Sequence, residues 1–425
     1  MKFNRTKNAR QNIVFGFLNK IVTMLIPFVT RMIIIRVLGA EYLGLTSLFS
    51  SILHVLNISE LGFSSAVAYS MYKPIAEDDK ETLCAILHFY RRVYFAVGVF
   101  IAGIGLTLLP FLSYLIKGSY PAGIDIHLLY LIFLCSTVSS YLLFGYKNTL
   151  VNAYQRADVL SNINTLVHCV IYASQIAIII LTKNYYLYAL MIVGCSVLQN
   201  ICIEFCSRKM FPDIVCKGHI TKETRLQIKT KVKGLLIAKL CYVTRNSFDS
   251  IFISAFLGLT LTAIYNNYYS IMNSVSALFA IIWTSTLSGI GNSITTESME
   301  KNYSDMKKFN FIYMWLVGCC TVCLLCLYQP FMELFFGADM LLPFPAAVLF
   351  CLYFYILKAG DIPAIYSDAC GLWWEKRFRN IAEALVNVIL NFFLGKFYPN
   401  KKFFFEYNYE MYGKYDNTKP CFGIS

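Results

Sequence analysis

The sequence has few charged residues, which make up only 14% of its 425 positions. A soluble domain usually carries about a quarter charged residues, because its surface must be hydrated. Hydrophobic residues make up 57% of the chain and aromatic residues 16%. These figures exclude a soluble enzyme, a disordered protein and a disulfide-stapled scaffold. They predict an all-α polytopic membrane protein with little mass outside the bilayer.

Motifs of catalysis and metal binding are also missing. The sequence contains no Walker loop, no G-x-S-x-G elbow and no H-E-x-x-H zinc helix. Cys320, Cys323 and Cys326 are spaced like iron–sulfur ligands, but they lie in an apolar stretch without the fourth cysteine and proline of a ferredoxin motif. We therefore expect a protein that is not an enzyme and has no catalytic residues, metal site or cofactor.

Apolar stretches long enough to cross the membrane recur along the chain, and we predict about 11 spanning helices, each of roughly 20 mainly apolar residues. They lie near residues 12–35, 42–66, 93–116, 126–146, 163–182, 185–206, 234–257, 263–290, 310–336, 341–364 and 380–397. The external connections between them are short. No domain is therefore left outside the membrane that would hold an active site.

The distribution of basic residues predicts the orientation. With the N-terminus inside, the cytoplasmic segments hold 24 lysines and arginines, Lys147 among them. The opposite segments hold three, which are Arg36, Lys117 and Lys183. Such a bias in short loops is the signature of the positive-inside rule, so we predict a cytoplasmic N-terminus. It also explains the net charge of +13 without a nucleic-acid partner.

The two halves of the chain resemble each other at an offset of about 219 residues. Leu38-Gly39 falls on Leu257-Gly258, Gly118 on Gly337 and Lys20 on Lys239, all at 219. Six predicted spans separate the two starts, so the halves have the same orientation and form a parallel repeat. Transporters built in this way bind their substrate between the halves and alternate its access to the two sides.

The predicted organisation has four parts: a six-helix lobe in 1–206, a basic cytoplasmic linker in 207–233, a five-helix lobe in 234–397 and a polar tail in 398–425. The basic part of the linker either lies on the anionic membrane surface or is a solvated connection. The tail stands where the repeat predicts a twelfth helix, but it is too polar to span the membrane. We hypothesise that a frameshift or truncation replaced this helix, and an inactive truncated product is an alternative to a working transporter.

Ionisable residues inside the predicted spans are the candidate functional residues, because charge is costly within the bilayer. Lys20 and Arg31 lie in the first span, and Lys239, Arg245 and Asp249 lie in the seventh. Lys20 and Lys239 are equivalent in the repeat, and two cations facing one cavity repel each other unless an anion lies between them. These cations therefore indicate an anionic substrate such as a phosphate or pyrophosphate.

The same residues allow other interpretations. Arg31 lies near the end of its span and can extend to the interface. Arg245 and Asp249 are four residues apart and can neutralise each other. Asp249 and Asp361 are candidates for carrying a coupling ion or proton, or else they are salt-bridge partners, Asp361 sharing its span with Lys358.

Two motifs in the first half resemble those of a known family. Residues 36–45, RVLGAEYLGL, and residues 59–63, SELGF, resemble the Wzx-type oligosaccharide flippases of the multidrug/oligosaccharidyl-lipid/polysaccharide (MOP) exporter superfamily. The resemblance extends over about residues 10–397. It implies two six-helix lobes in the bacterial inner membrane, from which this chain departs by lacking the twelfth helix.

The resemblance also implies a function. Members move polyprenyl-pyrophosphate-linked oligosaccharides from the cytoplasmic to the periplasmic leaflet for the synthesis of O-antigen, capsule or exopolysaccharide. Their cavity is typically basic, which suits Lys20, Arg31, Lys239 and Arg245. The implied partners are the lipid-linked glycan, membrane lipids and other polysaccharide-assembly proteins.

Several alternatives remain open from the sequence. A multidrug antiporter and a lipid II flippase belong to the same superfamily. Organic cations would be repelled by a cavity that contains Lys20 and Lys239, so the sign of the charge favours the oligosaccharide flippase. A membrane polymerase or ligase normally carries a large external loop, which this chain lacks.

Overall fold

The computed structural model describes residues 23–57, 63–118, 120–370 and 377–397. All regular secondary structure in these ranges is helical. The prediction of an all-α membrane protein is therefore confirmed. Lys20 and the tail 398–425 lie outside the described residues, so the expectations about them stay predictions.

The helices are labelled α1 to α14 in chain order. They are α1 (residues 23–37), α2 (Ala40–Leu56), α3 (Phe63–Ala76), α4 (Lys80–Thr107), α5 (Ile126–Leu142), α6 (Lys147–Ala153), α7 (Ala157–Thr182), α8 (Tyr185–Met210), α9 (Lys222–Leu257), α10 (Leu259–Thr296), α11 (Met299–Phe336), α12 (Phe344–Ala359), α13 (Asp361–Ala369) and α14 (Arg377–Phe397). Short 3-10 helices, Leu109–Leu115 and Ala338–Met340, follow α4 and α11.

Several helices are apolar and long enough to cross a membrane. In the described ranges these are α4, α7, α8, α11 and the combined stretch of α12 and α13. The pair α5 and α6, bent by 52°, makes a sixth. Shorter apolar helices are Ala40–Leu56, Ser247–Leu257 and Asn380–Phe393. The chain is thus a multi-pass membrane protein, and the total of about 11 spans stays a prediction.

Polar side chains fix where the helices begin. Asp79 accepts a hydrogen bond from the backbone N–H of Thr82 over 2.9 Å, and α4 starts at the next residue, Lys80. This start is well before the predicted span near 93–116, because the polar first turns extend the helix beyond its apolar part. The helix ends at Thr107, and Pro110 lies in the following 3-10 helix. Proline cannot donate the backbone hydrogen bond that continues an α-helix.

Two glycine pairs of the repeat share an unusual backbone conformation. Gly39 and Gly258 precede α2 and α10 with φ of 115° and 98°. Gly118 and Gly337 have φ of 87° and 95°. Positive φ is costly for residues with a Cβ, which explains why glycine stands at these four positions. The backbone therefore agrees with the offset of 219 at both pairs.

The chain forms two compact units. Among the described residues, the first consists of those in 23–251 and 377–388, and the second of those in 252–370 and 389–397. Apolar side chains of α2, α4 and α5 form the core of the first unit, where the ring of Phe49 packs edge-on against Tyr130. The predicted lobe boundaries stay a prediction.

The connection between α8 and α9 is shorter than the predicted linker 207–233. Helix α8 continues to Met210 and α9 begins at Lys222, so only residues 211–221 lie outside the two helices. Residues 222–233 contain no glycine or proline and are rich in helix-forming types, and they continue directly into the seventh predicted span.

Candidate functional site

Two interrupted helices stand at corresponding places in the repeat. Helices α5 and α6 are separated by four residues, in which Phe144 has a φ of 50°. Helices α12 and α13 are separated by Gly360. A shift of 219 places α5 on residues 345–361 and α6 on residues 366–372, so α5 overlaps α12, α6 overlaps the end of α13, and the shifted break begins two residues after Gly360. Interrupted helices are typical of binding sites in transporters, because they bring free backbone groups and polar side chains into the membrane.

The first unit holds an ion pair at its interruption. Lys147, the first residue of α6, is 6% exposed. Its Nζ lies 2.8 Å from Oε2 of Glu204 on α8. Arg208, one turn further along α8, pairs with the other carboxylate oxygen of Glu204. We call Lys147, Glu204 and Arg208 the Glu204 centre, and it joins α6 to α8.

A second polar group lies in the same unit. The hydroxyl of Tyr90, a fully buried residue of α4, is 2.7 Å from the hydroxyl of Ser64 and 3.3 Å from that of Thr149. These residues come from α3, α4 and α6. Short α6 is therefore fixed by buried polar contacts to neighbouring helices as well as by the Glu204 centre.

The second unit holds a different ion pair. Oδ2 of Asp361, the first residue of α13, accepts hydrogen bonds from Nζ of Lys358 at 2.9 Å and from the hydroxyl of Tyr313 at 2.5 Å. Lys358 is 8% exposed, and its ammonium lies 5.8 Å from the centre of the Phe279 ring. We call Tyr313, Lys358 and Asp361 the Asp361 centre. The interpretation of Asp361 as a salt-bridge partner therefore holds, with Lys358 as the partner.

Arg31 is the predicted substrate cation that the structure places in most detail. It lies on α1 with a half-buried side chain. Tyr172 on α7 and Tyr188 on α8 lie near its guanidinium. The ring of Tyr172 stacks on His168, with centres 5.5 Å apart. Arg31 thus lies beside aromatic and polar side chains of the first unit.

The other predicted cations are described less fully. Lys239 and Arg245 lie on α9, and their side chains are outside the described part of the chain, as is all of Lys20. The proposed pairing of Arg245 with Asp249 therefore stays a prediction. Asp249 accepts a hydrogen bond from Nδ2 of Asn387 on α14, at 3.2 Å.

Sequence reasoning missed the Glu204 centre. It assigned Lys147 to a cytoplasmic segment, but the structure buries this lysine against Glu204. Burial is tolerated because the carboxylate compensates for the lost hydration of the ammonium. An acidic residue within the apolar span 185–206 was the available signal, since such a residue needs a partner.

A metal centre finds no support in the described ranges, where no group of three or more His, Cys, Asp or Glu residues is arranged to hold a metal ion. Cys320, Cys323 and Cys326 all lie on α11 as free thiols. The last two are exposed on its surface.

Comparison with known families gives a match in the first two thirds of the chain. The profile of the family described as "Polysaccharide biosynthesis protein" matches residues 9–289. No curated protein matches the chain.

Solved structures share the fold. An inward-facing multidrug resistance MATE family transporter of the MOP superfamily has a TM-score of 0.56 and 15% identity, over 90% of this chain and 88% of that one. An outward-facing conformation of such a transporter has a TM-score of 0.53 and 13% identity, over 94% and 96%. A MOP superfamily transporter from Pyrococcus furiosus is described as having a binding pocket of reverse polarity. It has a TM-score of 0.53 and 13% identity, over 92% of this chain and 95% of that one.

Proposed function

Because this chain belongs to the polysaccharide biosynthesis protein family and has the fold of MOP superfamily transporters, we propose that it is a flippase for oligosaccharides linked to polyprenyl pyrophosphate. The family and the fold are those of transporters and flippases, not of enzymes. The substrate moves from the cytoplasmic to the periplasmic leaflet of the bacterial inner membrane by alternating access. There it serves the synthesis of O-antigen, capsule or exopolysaccharide.

The observation that carries this proposal is the position of Arg31. It lies on α1 with a half-buried side chain, near Tyr172 of α7 and Tyr188 of α8. A guanidinium binds phosphate oxygens through a planar set of donors, and tyrosine hydroxyls both donate and accept hydrogen bonds. This combination suits a substrate with a pyrophosphate and sugar hydroxyls, whose transfer into hydrocarbon without polar partners is prohibitive.

We assign the other predicted cations the same role as Arg31. We assign Lys20, Lys239 and Arg245, together with Arg31, to binding the pyrophosphate, while the lipid tail stays in the bilayer. Positive charge is the wrong sign for binding an organic cation. The cations therefore favour an anionic substrate over the drugs that the multidrug relatives are named for.

Asp249 and Asp361 are the proposed coupling residues. Asp249 accepts a hydrogen bond from Asn387, so it is tied to α14. Asp361 already contacts the ammonium of Lys358, so a coupling cation would have to displace that lysine to reach the carboxylate. Energy for transport comes from such coupling or from the membrane potential, which supplies about 2.3 kcal/mol per charge per 100 mV.

The proposal is tested by deleting the gene in its host and measuring lipid-linked oligosaccharide by mass spectrometry. We expect accumulation in the deletion strain and relief by the wild-type chain. Arg31→Gln should reduce export about tenfold, the effect of losing one charge-assisted hydrogen bond of roughly 1.5 kcal/mol. Arg92→Gln, which changes an exposed arginine of α4, is the matched control and should restore export.

Organic-cation efflux is the second candidate, because multidrug transporters share the fold. A deletion strain that accumulates no lipid-linked glycan, but becomes sensitive to cationic drugs, would replace the first proposal with this one. Accumulation of lipid II instead of an oligosaccharide would identify the chain as a lipid II flippase.

A further inference from the structure

Residues 211–221, which connect α8 with α9, lie along the first turns of α4. Lys80, at the start of α4, donates a hydrogen bond from Nζ to Oδ2 of Asp213 over 2.7 Å. The hydrogen bond from this ammonium and its charge lower the pKa of the Asp213 carboxyl, which therefore stays ionised at neutral pH. The connection thus contacts α4 through an exposed pair that remains charged at neutral pH.

The next two turns of α4 also contact this connection. Cys84 is 3% exposed, and its Sγ accepts a hydrogen bond from the backbone N–H of Val215 over 3.3 Å. One turn later, Nδ1 of His88 lies 2.9 Å from the carbonyl oxygen of Cys216. A carbonyl can only accept, so Nδ1 carries the proton of this hydrogen bond. The contacts on α4 recur every four residues and therefore lie on one face of the helix.

Apolar contacts also hold the connection between α8 and α9 in place. The ring of Phe211 stacks on Tyr154, with centres 4.2 Å apart, and both Phe211 and Ile214 are buried. Gly218 has a φ of 87° and approaches α4 so closely that an added Cβ would lie 3.4 Å from the Cβ of Ala85. The connection is therefore anchored to the rest of the first unit mainly at Phe211 and Ile214, while most of its other residues are exposed.

The contacts continue into the first turns of α9. The guanidinium of Arg225 lies 5.9 Å from the centre of the Phe89 ring on α4. Ile228, three residues further along α9, is buried. These residues belong to the same unit as α4. The start of α9 is thus held in the same way as the connection that precedes it.

We propose that residues 211–221 form a clasp, closed on α4, that positions α9 for substrate binding. Lys239, Arg245 and Asp249 all lie on α9, so the purpose of this positioning rests on the proposed function. Lys80, Asp213 and Phe211 act as positioning residues, since their contacts hold the connection and affect binding only through the position of α9.

Cys84 provides a built-in reporter of the clasp. Its thiol is buried beneath Val215, so it should react slowly with N-ethylmaleimide while the clasp is closed. Phe211→Ala removes the stack on Tyr154 and should raise the labelling rate of Cys84 in membranes about tenfold, because the buried aromatic ring anchors the connection. Mass spectrometry of the peptide that contains Cys84 separates this thiol from the others. Phe205→Ala, at an exposed site on α8, is the control and should leave the rate unchanged.

A charge exchange tests the positioning without removing the aromatic anchor. Lys80→Asp and Asp213→Lys, made singly, should each raise Cys84 labelling less than Phe211→Ala does, because the pair is exposed, and should lower glycan export. The double variant restores an ion pair and should reverse both effects, whereas two merely damaging substitutions would add.

The outcomes separate this inference from the proposed function. Unchanged Cys84 labelling in Phe211→Ala and in both single charge variants would overturn the clasp. Faster labelling with undiminished export would overturn the positioning of α9. If the wild-type chain exports no glycan, the proposed function fails, while the labelling still decides whether the clasp exists.

Discussion

The interruption between α5 and α6 in the first unit corresponds to the one between α12 and α13 in the second, yet the two lysines stand on opposite sides of the gap. Lys147 begins α6, whereas Lys358 lies in the last turn of α12. A cation is disfavoured at a helix N-terminus and favoured at a C-terminus. Lys147 therefore depends on Glu204 more strongly than Lys358 depends on Asp361.

The carboxylate partners of the two lysines also differ in where they lie. Glu204 lies on another helix, α8, so the Glu204 centre holds two elements together. Asp361 is three residues from Lys358, and Tyr313 of α11 adds the contact to a neighbouring helix. Equivalent interruptions are therefore stabilised in the first unit by an ion pair between helices and in the second largely by residues close in sequence.

Removing the carboxylate from the Glu204 centre should have the largest effect. Glu204→Gln leaves the buried ammonium of Lys147 without a counter-charge, which costs about 3–5 kcal/mol. Thermal unfolding of the purified protein in detergent should therefore show a large loss of stability. Glu333→Gln, at an exposed site on α11, is the control. Equal melting temperatures for the two variants would contradict the account.

A double substitution separates the charge from the packing. Lys147→Met combined with Glu204→Met removes both charges and keeps apolar volume, so most of the lost stability should return. A double variant as unstable as Glu204→Gln would show that packing, and not the unpaired charge, caused the loss.

The matching change in the second unit should cost less. Asp361→Asn leaves Lys358 beside the C-terminus of α12 and should cost about 2 kcal/mol, the range of a hydrogen bond to a charged group. The same unfolding measurement checks it against Asp339→Asn, which changes an exposed residue. A loss larger than that of Glu204→Gln would reverse the comparison.

Tyr313→Phe should have a smaller effect still. It removes one of the two hydrogen bonds to Asp361 and should cost about 1.5 kcal/mol, because the ion pair with Lys358 remains. Tyr355→Phe, on the exposed face of α12, should be neutral in the same melting experiment. Indistinguishable melting temperatures for the two variants would remove Tyr313 from the Asp361 centre.

The smallest effect is expected at Arg208. Its side chain is 72% exposed, and exposed ion pairs contribute less than about 1 kcal/mol. Arg208→Gln should therefore shift the melting temperature only slightly, and less so at high salt. A loss comparable to that of Glu204→Gln would mean that Arg208, rather than Lys147, is the main partner.

The sequence was informative wherever the signal is local. Apolar runs predicted the helical membrane fold, and the repeat aligned glycines such as Gly39 and Gly258, which the structure shows to share a positive φ. Helix starts were less predictable, because polar residues of good helix propensity extend α4 to Lys80 and α9 to Lys222.

In the candidate site, too, only the contacts between residues close in sequence could be predicted. Lys358 and Asp361 are close in sequence, so their pairing was among the expected interpretations. Lys147 and Glu204 are far apart in the chain, and only the packing of α6 against α8 brings them together. The sequence therefore predicted the local ion pair and missed the long-range one.

Reconstitution in liposomes shows whether the substrate is an anionic glycolipid. The purified chain is placed in liposomes, and the transbilayer movement of a labelled polyprenyl-pyrophosphate oligosaccharide is measured beside that of an organic cation. We predict that the wild-type chain moves the glycolipid across the bilayer but does not move the organic cation. Arg31→Gln should slow glycolipid movement about tenfold, whereas Arg92→Gln should not slow it. Movement of the cation while the glycolipid remains in its leaflet would contradict the account.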